Sequence, residues 1–293
     1  MNKIEKMLVK ADHFKNLNWV LAIEILEKII EKAPETLKAH QMLYHIYMKK
    51  KLYRKTEEIL KRAIKYHSNK DYFYFLYGNL NLAQIGKTSY AIKWYEKVEN
   101  KFPELELNLA IAYTKQHRRK KAIKILERIL PKYREFVQVI LFLSEQYIAE
   151  NNYTKAINLL MKIKINKIPA NADVHYLLGI CYDKMRNWIQ AYLYYQKAEN
   201  FGMSSAKFYN LFGKCCQNIG EIKQAIKYFK KSISKDMFFI KSYLDLSKLY
   251  VIENDTLNAN KYLTLATKID PLNIWIAMTS KKLNKRKKED EKS

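Results

Sequence analysis

The chain has 293 residues, 48% of them hydrophobic, with only six Gly and five Pro, so it can bury a large core and has few helix breakers; this excludes a turn-rich β fold and favours helices. Its net charge of +25 can mean an anionic counterpart such as nucleic acid, a lipid surface or acidic protein, but 46 of the 54 basic residues are Lys in a chain also rich in Asn, Ile and Tyr, all residues with A/T-rich codons, so coding bias is the main cause expected. Cys181, Cys215 and Cys216 form no CxxC pair, which argues against a disulfide framework or a zinc site. The start MNKIEKMLVKADHF does not read as a signal peptide, and no run reaches the ~18 apolar residues of a membrane span, so a cytoplasmic protein is expected.

Self-similarity runs along the chain. Ala22, Ala91, Ala122, Ala156, Ala191, Ala225 and Ala259 are each followed four residues later by Leu, Tyr or Phe, and the spacing between the later ones is 34 or 35 residues. The interval from Ala22 to Ala91 has room for two repeats, with Thr56 and Leu60 at its midpoint. Eight windows result: 3–36, 37–70, 71–102, 103–136, 137–171, 172–205, 206–239 and 240–273. Window 172–205 carries His175, Leu178, Gly179, Tyr182, Ala191, Tyr195 and Ala198; window 240–273 carries Tyr243, Leu246, Ser247, Tyr250, Ala259, Leu263, Ala266 and Pro271. Large and small residues in this alternation resemble the tetratricopeptide repeat, over nearly the whole chain. The resemblance implies an all-α fold: a right-handed superhelical solenoid of about eight helix-turn-helix units that form a single array over 1–284.

Taken in chain order, the first two windows depart from the pattern. They place Lys10 and Tyr44 at repeat position 8, where a small residue is usual, so looser or different packing is expected there. His40 falls at the large position 4, as His175 does later, and His13 at position 11, which reads all three as core fillers. Window 71–102 has one extra residue between Gly78 and Ala91 and meets Pro103 early, so a change of superhelical pitch is expected near 100–105. Its Gly86-Lys87-Thr88 looks like the end of a phosphate-binding loop, but Asn81 stands where that motif needs Gly. Gly78, Gly179 and Gly213 take position 8, Gly86 and Gly220 the turn between helices, and Gly202 the end of a second helix. Cys216 replaces the packing Tyr of window 206–239 and reads as a small buried hydrophobe. Segment 274–284 sets Trp275, Met278 and Leu283 against polar neighbours as a capping helix would, and 285–293 reads as a disordered charged tail.

No catalytic constellation or metal spacing emerges, so neither enzymatic activity nor a cofactor is expected. In tetratricopeptide arrays the first helix of each unit lines the groove, and the resemblance implies that positions 2, 5, 9 and 12 face a ligand. That stripe reads Lys207, Asn210, Lys214 and Gln217, then Lys241, Leu244, Lys248 and Val251, a ladder of four lysines on adjacent helices with Asn210 as an added donor. Earlier windows present Tyr72, Phe75 and Asn79, then Glu104 and Leu107, then Gln138, Leu141 and Glu145, then Asp173, Tyr176, Ile180 and Asp183. The Lys, Asn and Arg set with which some family members hold a C-terminal carboxylate is missing. The expected function is a non-catalytic adaptor or scaffold that binds an acidic, apolar-anchored peptide or protein segment at Lys207, Asn210, Lys214, Lys241, Lys248, Tyr72, Phe75 and Tyr176. The alternative is an RNA-binding helical-repeat protein using its basic surface, with Arg118, Arg119, Lys120 and Lys121 in one turn.

Overall fold

The computed structural model describes residues 2–84, 86–133, 136–163 and 171–281. Among them sixteen α-helices follow one another: α1 (Lys3–Leu17), α2 (Trp19–Lys32), α3 (Leu37–Lys49), α4 (Tyr53–Tyr66), α5 (Asp71–Leu82), α6 (Thr88–Glu96), α7 (Pro103–Lys115), α8 (Arg119–Ile129), α9 (Val137–Ala149), α10 (Tyr153–Leu160), α11 (Asn171–Lys184), α12 (Trp188–Asn200), α13 (Ala206–Asn218), α14 (Ile222–Lys235), α15 (Ile240–Ile252) and α16 (Thr256–Ile269). Residues 274–281 are also helical. The fold is all-α and built of helical hairpins. The chain divides into two compact units, Met1–Val139 and Ile140–Ser293. The predicted tail, 285–293, and the end of the predicted cap, 282–284, lie outside the described residues.

One turn recurs in both units. The second residue after the first helix is left-handed at Lys51, His117, Asn151, Arg186 and Asn254, with φ of 56–59°, and Gly220 takes the same place at 83°. The next backbone N–H then bonds back to the carbonyl of the residue five before it. Leu52 donates to Tyr47, Arg118 to Tyr113, Asn152 to Tyr147, Asn187 to Tyr182, Glu221 to Cys216 and Asp255 to Tyr250, all at 2.8–2.9 Å. These bonds satisfy carbonyls left open at the helix end. Asn152, Asn187 and Asp255 then turn to the following helix, where their side chains accept its first free N–H groups.

Helices within a hairpin meet through glycine. At Gly78, Gly179 and Gly213 an added Cβ would fall 2.1, 2.5 and 2.8 Å from the rings of Tyr95, Tyr195 and Phe229. Those rings are fully buried, as are Ala91, Ala156, Ala191, Ala225 and Ala259. Small residues at one level thus admit an aromatic at the next, the alternation seen in the sequence. In the second unit the pattern condenses into one core around Tyr195, Phe208, Phe212 and Phe229. In the first unit one cluster gathers around Leu26, Ile29 and Leu43 and another around Tyr44, Leu60 and Phe73.

The expected departure at the N-terminus takes a specific form. In α1 the inward residues are Leu8 and Ala11, while Lys10 and His13 are exposed. The helix is rotated by one residue relative to the repeat, so Ala11 fills the small position. Phe14, half-buried, stands where His13 was expected to pack. His13 is therefore no core filler, whereas His40 and His175 are buried. In the second window Tyr44 fills its place with a buried ring. Helix α6 stops at Glu96, and the Asp71 carboxylate accepts from the backbone N–H groups of Glu99 and Asn100 at 3.1 and 2.9 Å before Pro103 opens α7. The closing segment also differs from expectation: Ile276 and Thr279 face inward, and Trp275 and Met278 remain exposed.

Candidate functional site

The second unit brings α9, α11, α13 and α15, the first helices of its hairpins, into one succession. On α13 and α15, Lys207, Lys241 and Lys248 are exposed, and none of them forms an ion pair or hydrogen bond with another described residue. Lys214 and Asn210 are placed differently from the sequence expectation. The Lys214 ammonium lies 3.0 Å from Asp245 Oδ2, and Asn210 Nδ2 donates to the same oxygen at 3.0 Å. Asn210 is 1% exposed. Its amide is an internal strut between α13 and α15 rather than a donor offered to a partner. Leu244 is likewise buried.

Asp245 was missed by sequence reasoning. A signal existed: it occupies a repeat position where the other windows place Leu8, Met42, Leu76, Phe142, Leu177 and Leu211, with Asn108 the other polar residue. An acid among mostly apolar equivalents is costly to bury and calls for a partner. Lys184, at the end of α11, was also missed. Desolvation and then the charge of Lys214 hold the Lys241 ammonium below the ordinary lysine range, with Lys184 and Lys207 adding to the effect and Asp245 opposing it. Four lysines from three helices therefore share one electrostatic neighbourhood.

The flank toward α9 has the opposite character. Desolvation raises the Glu145 carboxyl above its usual range, the charge of Asp173 adds to this, and Lys207 counters it. Desolvation likewise raises Asp183, opposed by Lys184 and Lys214. Between these acids lies Tyr176, half-buried, with its ring edge-on to Phe208 at 5.9 Å and its hydroxyl pushed up to about 12 by desolvation and the nearby Glu145 and Asp173. The face offers an aromatic platform beside a group of ammonium ions.

In the first unit, Tyr72 and Phe75 are half-buried on α5. Phe75 lies edge-on to Phe102 at 5.0 Å. The three cysteines are buried, and desolvation pushes each thiol up to about 12, so none is poised as a nucleophile. Gly86 and Lys87 lie in the turn before α6, as expected of an inter-helix connection. Among the described residues no helix is long and apolar enough to cross a membrane.

Comparison with known proteins bears on the fold and part of the sequence. The family described as "Anaphase-promoting complex, cyclosome, subunit 3" matches residues 150–232. A structure of the APC/C hetero-tetramer Cut9-Hcn1 is similar at 17% identity with a TM-score of 0.65, covering 97% of this chain and 57% of that one, so the chain spans little more than half of its length. A tetratricopeptide repeat protein from Parabacteroides merdae is similar at 17% identity with a TM-score of 0.64, covering 88% and 98% of the two chains. YrrB, a tetratricopeptide protein described as having an unusual peptide-binding site, is similar at 19% identity with a TM-score of 0.50, over 66% and 97%.

Proposed function

Taking the chain as a tetratricopeptide-repeat protein, whose fold serves protein–protein interaction, we propose that it is a non-catalytic scaffold that holds an acidic, apolar-anchored segment of a partner protein. Lys207, Lys241 and Lys248 supply the positive contacts. Lys214 is shared with Asp245, and Asn210 keeps α13 and α15 in register. Tyr176 offers an apolar platform in the second unit, and Tyr72 and Phe75 offer one in the first.

The observation that carries this reading is the pair of exposed ammonium groups, Lys207 and Lys241, at equivalent places on adjacent helices and without internal partners among the described residues, with Lys248 exposed further along α15. The Lys241 ammonium is held below the ordinary lysine range first by desolvation and then by the charges of Lys214, Lys184 and Lys207, and an anionic segment would offset the like-charge part of that cost. The peptide-binding site in the printed description of YrrB adds support from a protein of similar fold.

Selection from a displayed random-peptide library tests the proposal. Enriched peptides should pair two or more carboxylates with an aromatic or aliphatic residue, and they should lose binding to the Lys207→Glu/Lys241→Glu double variant. Enrichment of neutral or basic peptides, or equal binding by that variant, would overturn it. Retention of an RNA pool in place of acidic peptides would move the assignment to nucleic acid.

A further inference from the structure

The first unit holds a pocket of its own. Between the end of α1, the start of α2 and one side of α3 there is a cavity of about 290 Å³. Its apolar wall is Trp19, Met42 and Ile46, and its polar rim is Lys15, Asn16, His45, Lys49 and Lys50. No acidic side chain lines it. Met42 and Ile46 belong to the buried cluster of the first unit, and Trp19 packs against that cluster. The wall is therefore part of the core. The pocket is open to solvent on its lysine side and backed by the core on the other.

The three lysines are not equivalent. The Lys15 ammonium is 2.7 Å from Asp12, and the Lys50 ammonium lies over the Trp19 ring, 5.0 Å from its centre. Lys49 has no partner among the described residues. The cavity thus combines an indole held in place by a cation with one uncommitted ammonium at its edge. Its volume lies at the lower limit of small-molecule sites, which run from about 300 to 1,000 Å³. That suits one ring or a short aliphatic chain and is too small for a peptide helix.

We infer that this cavity binds a small organic carboxylate, its ring or aliphatic body against Trp19, Met42 and Ile46 and its carboxylate at Lys49. Lys15 can join the anion at little cost, because its exposed pair with Asp12 is of a kind worth little. The apolar wall gives affinity, and the rim selects for negative charge.

The test uses the full chain and nuclear magnetic resonance of the tryptophan indole N–H groups. The Trp19 signal is identified by its loss in Trp19→Phe. Titration with 3-phenylpropionate, benzoate and hexanoate should move that signal saturably for at least one acid. The matching amide should bind about tenfold more weakly or worse, and so should the acid to Lys49→Glu, since a charge-assisted contact is lost in each case. Lys49 is exposed, so the variant should melt with the parent. Absence of a saturable shift for all three acids would overturn the inference, as would acid and amide binding alike, or Lys49→Glu binding like the parent. Displacement of the bound acid by an acidic peptide at lower concentration would reassign the cavity to a protein segment.

Discussion

At the scale of single residues, the fold depends on a hydrogen atom where most residues carry a side chain. Gly179 faces Tyr195 so closely that a methyl group would lie 2.5 Å from the ring, and the ring is fully enclosed. Gly179→Ala should therefore overpack the hairpin and cost about 1–3 kcal/mol, read as a lower urea midpoint; a variant as stable as the parent would show that the two helices do not meet there. Lysine and tyrosine abundance also has a structural use. Lys55 lies over Tyr47, Lys121 over Tyr113 and Lys155 over Tyr147, at 5.9, 5.5 and 5.5 Å from the ring centres, at equivalent places in three hairpins. Part of the basic excess is thus laid on aromatic faces, a role that composition alone does not reveal. The glycine and alanine positions were legible because close approach tolerates few residue types. Asp245 was not, because its meaning depends on Asn210 and Lys214 across the helix interface.

At the scale of helices and turns, the left-handed residue that follows α3, α7, α9, α11, α13 and α15 is the most regular feature, and the sequence hides it. Lys, His, Asn and Arg occupy it as readily as Gly. A side chain there is disfavoured by roughly 1–2 kcal/mol. Arg186→Gly should relieve about 1 kcal/mol of that strain, less the extra chain entropy of glycine. Denaturant melts check this, and a destabilised variant would mean that the Arg186 side chain contributes more than its backbone costs. The rotation of α1 escaped sequence reading because alignment to a repeat cannot register a one-residue offset when an acceptable small residue, Ala11, stands next in line. The closing segment was misread for a related reason. Its stripe through Trp275 and Met278 looked like a docking face, yet Ile276 and Thr279 dock.

His40 on α3 and His67, the residue that caps the end of α4, carry a pH dependence. His40 is held below its ordinary range chiefly by burial, with the charges of His67 and Arg62 lowering it further and the Thr36 carbonyl and Glu27 acting against them. His67 is lowered by burial and opposed by Glu35. The unfolded chain binds protons more readily at both sites. Stability present at neutral pH is therefore lost as pH falls below about 6.5. Urea midpoints between about pH 7.5 and 5 should fall with pH, and the slope should be smaller in His67→Gln. An unchanged slope would remove this pair from the acid response.

At the scale of the molecule, eight successive hairpin windows were legible because every hairpin repeats one solution to one packing problem, and the repetition corrects errors that a single window would allow. The functional face was legible only in outline. Repeat register brought Lys207, Lys241 and Lys248 to mind, but register does not say which lysines already have partners. The second unit shows Lys214 answered by Asp245 and the other three open. Binding through them should weaken as salt rises, since exposed charges are screened over about 8 Å at physiological ionic strength. The most direct measurement is a charge swap. An acidic peptide recovered by selection and a copy with its Glu and Asp changed to Lys are titrated against the parent protein and against Lys207→Glu/Lys241→Glu. The acidic peptide should bind only the parent, and the basic copy should bind the double variant better than it binds the parent. If both proteins bind the acidic peptide with the same affinity, the lysine face is not where the partner is held.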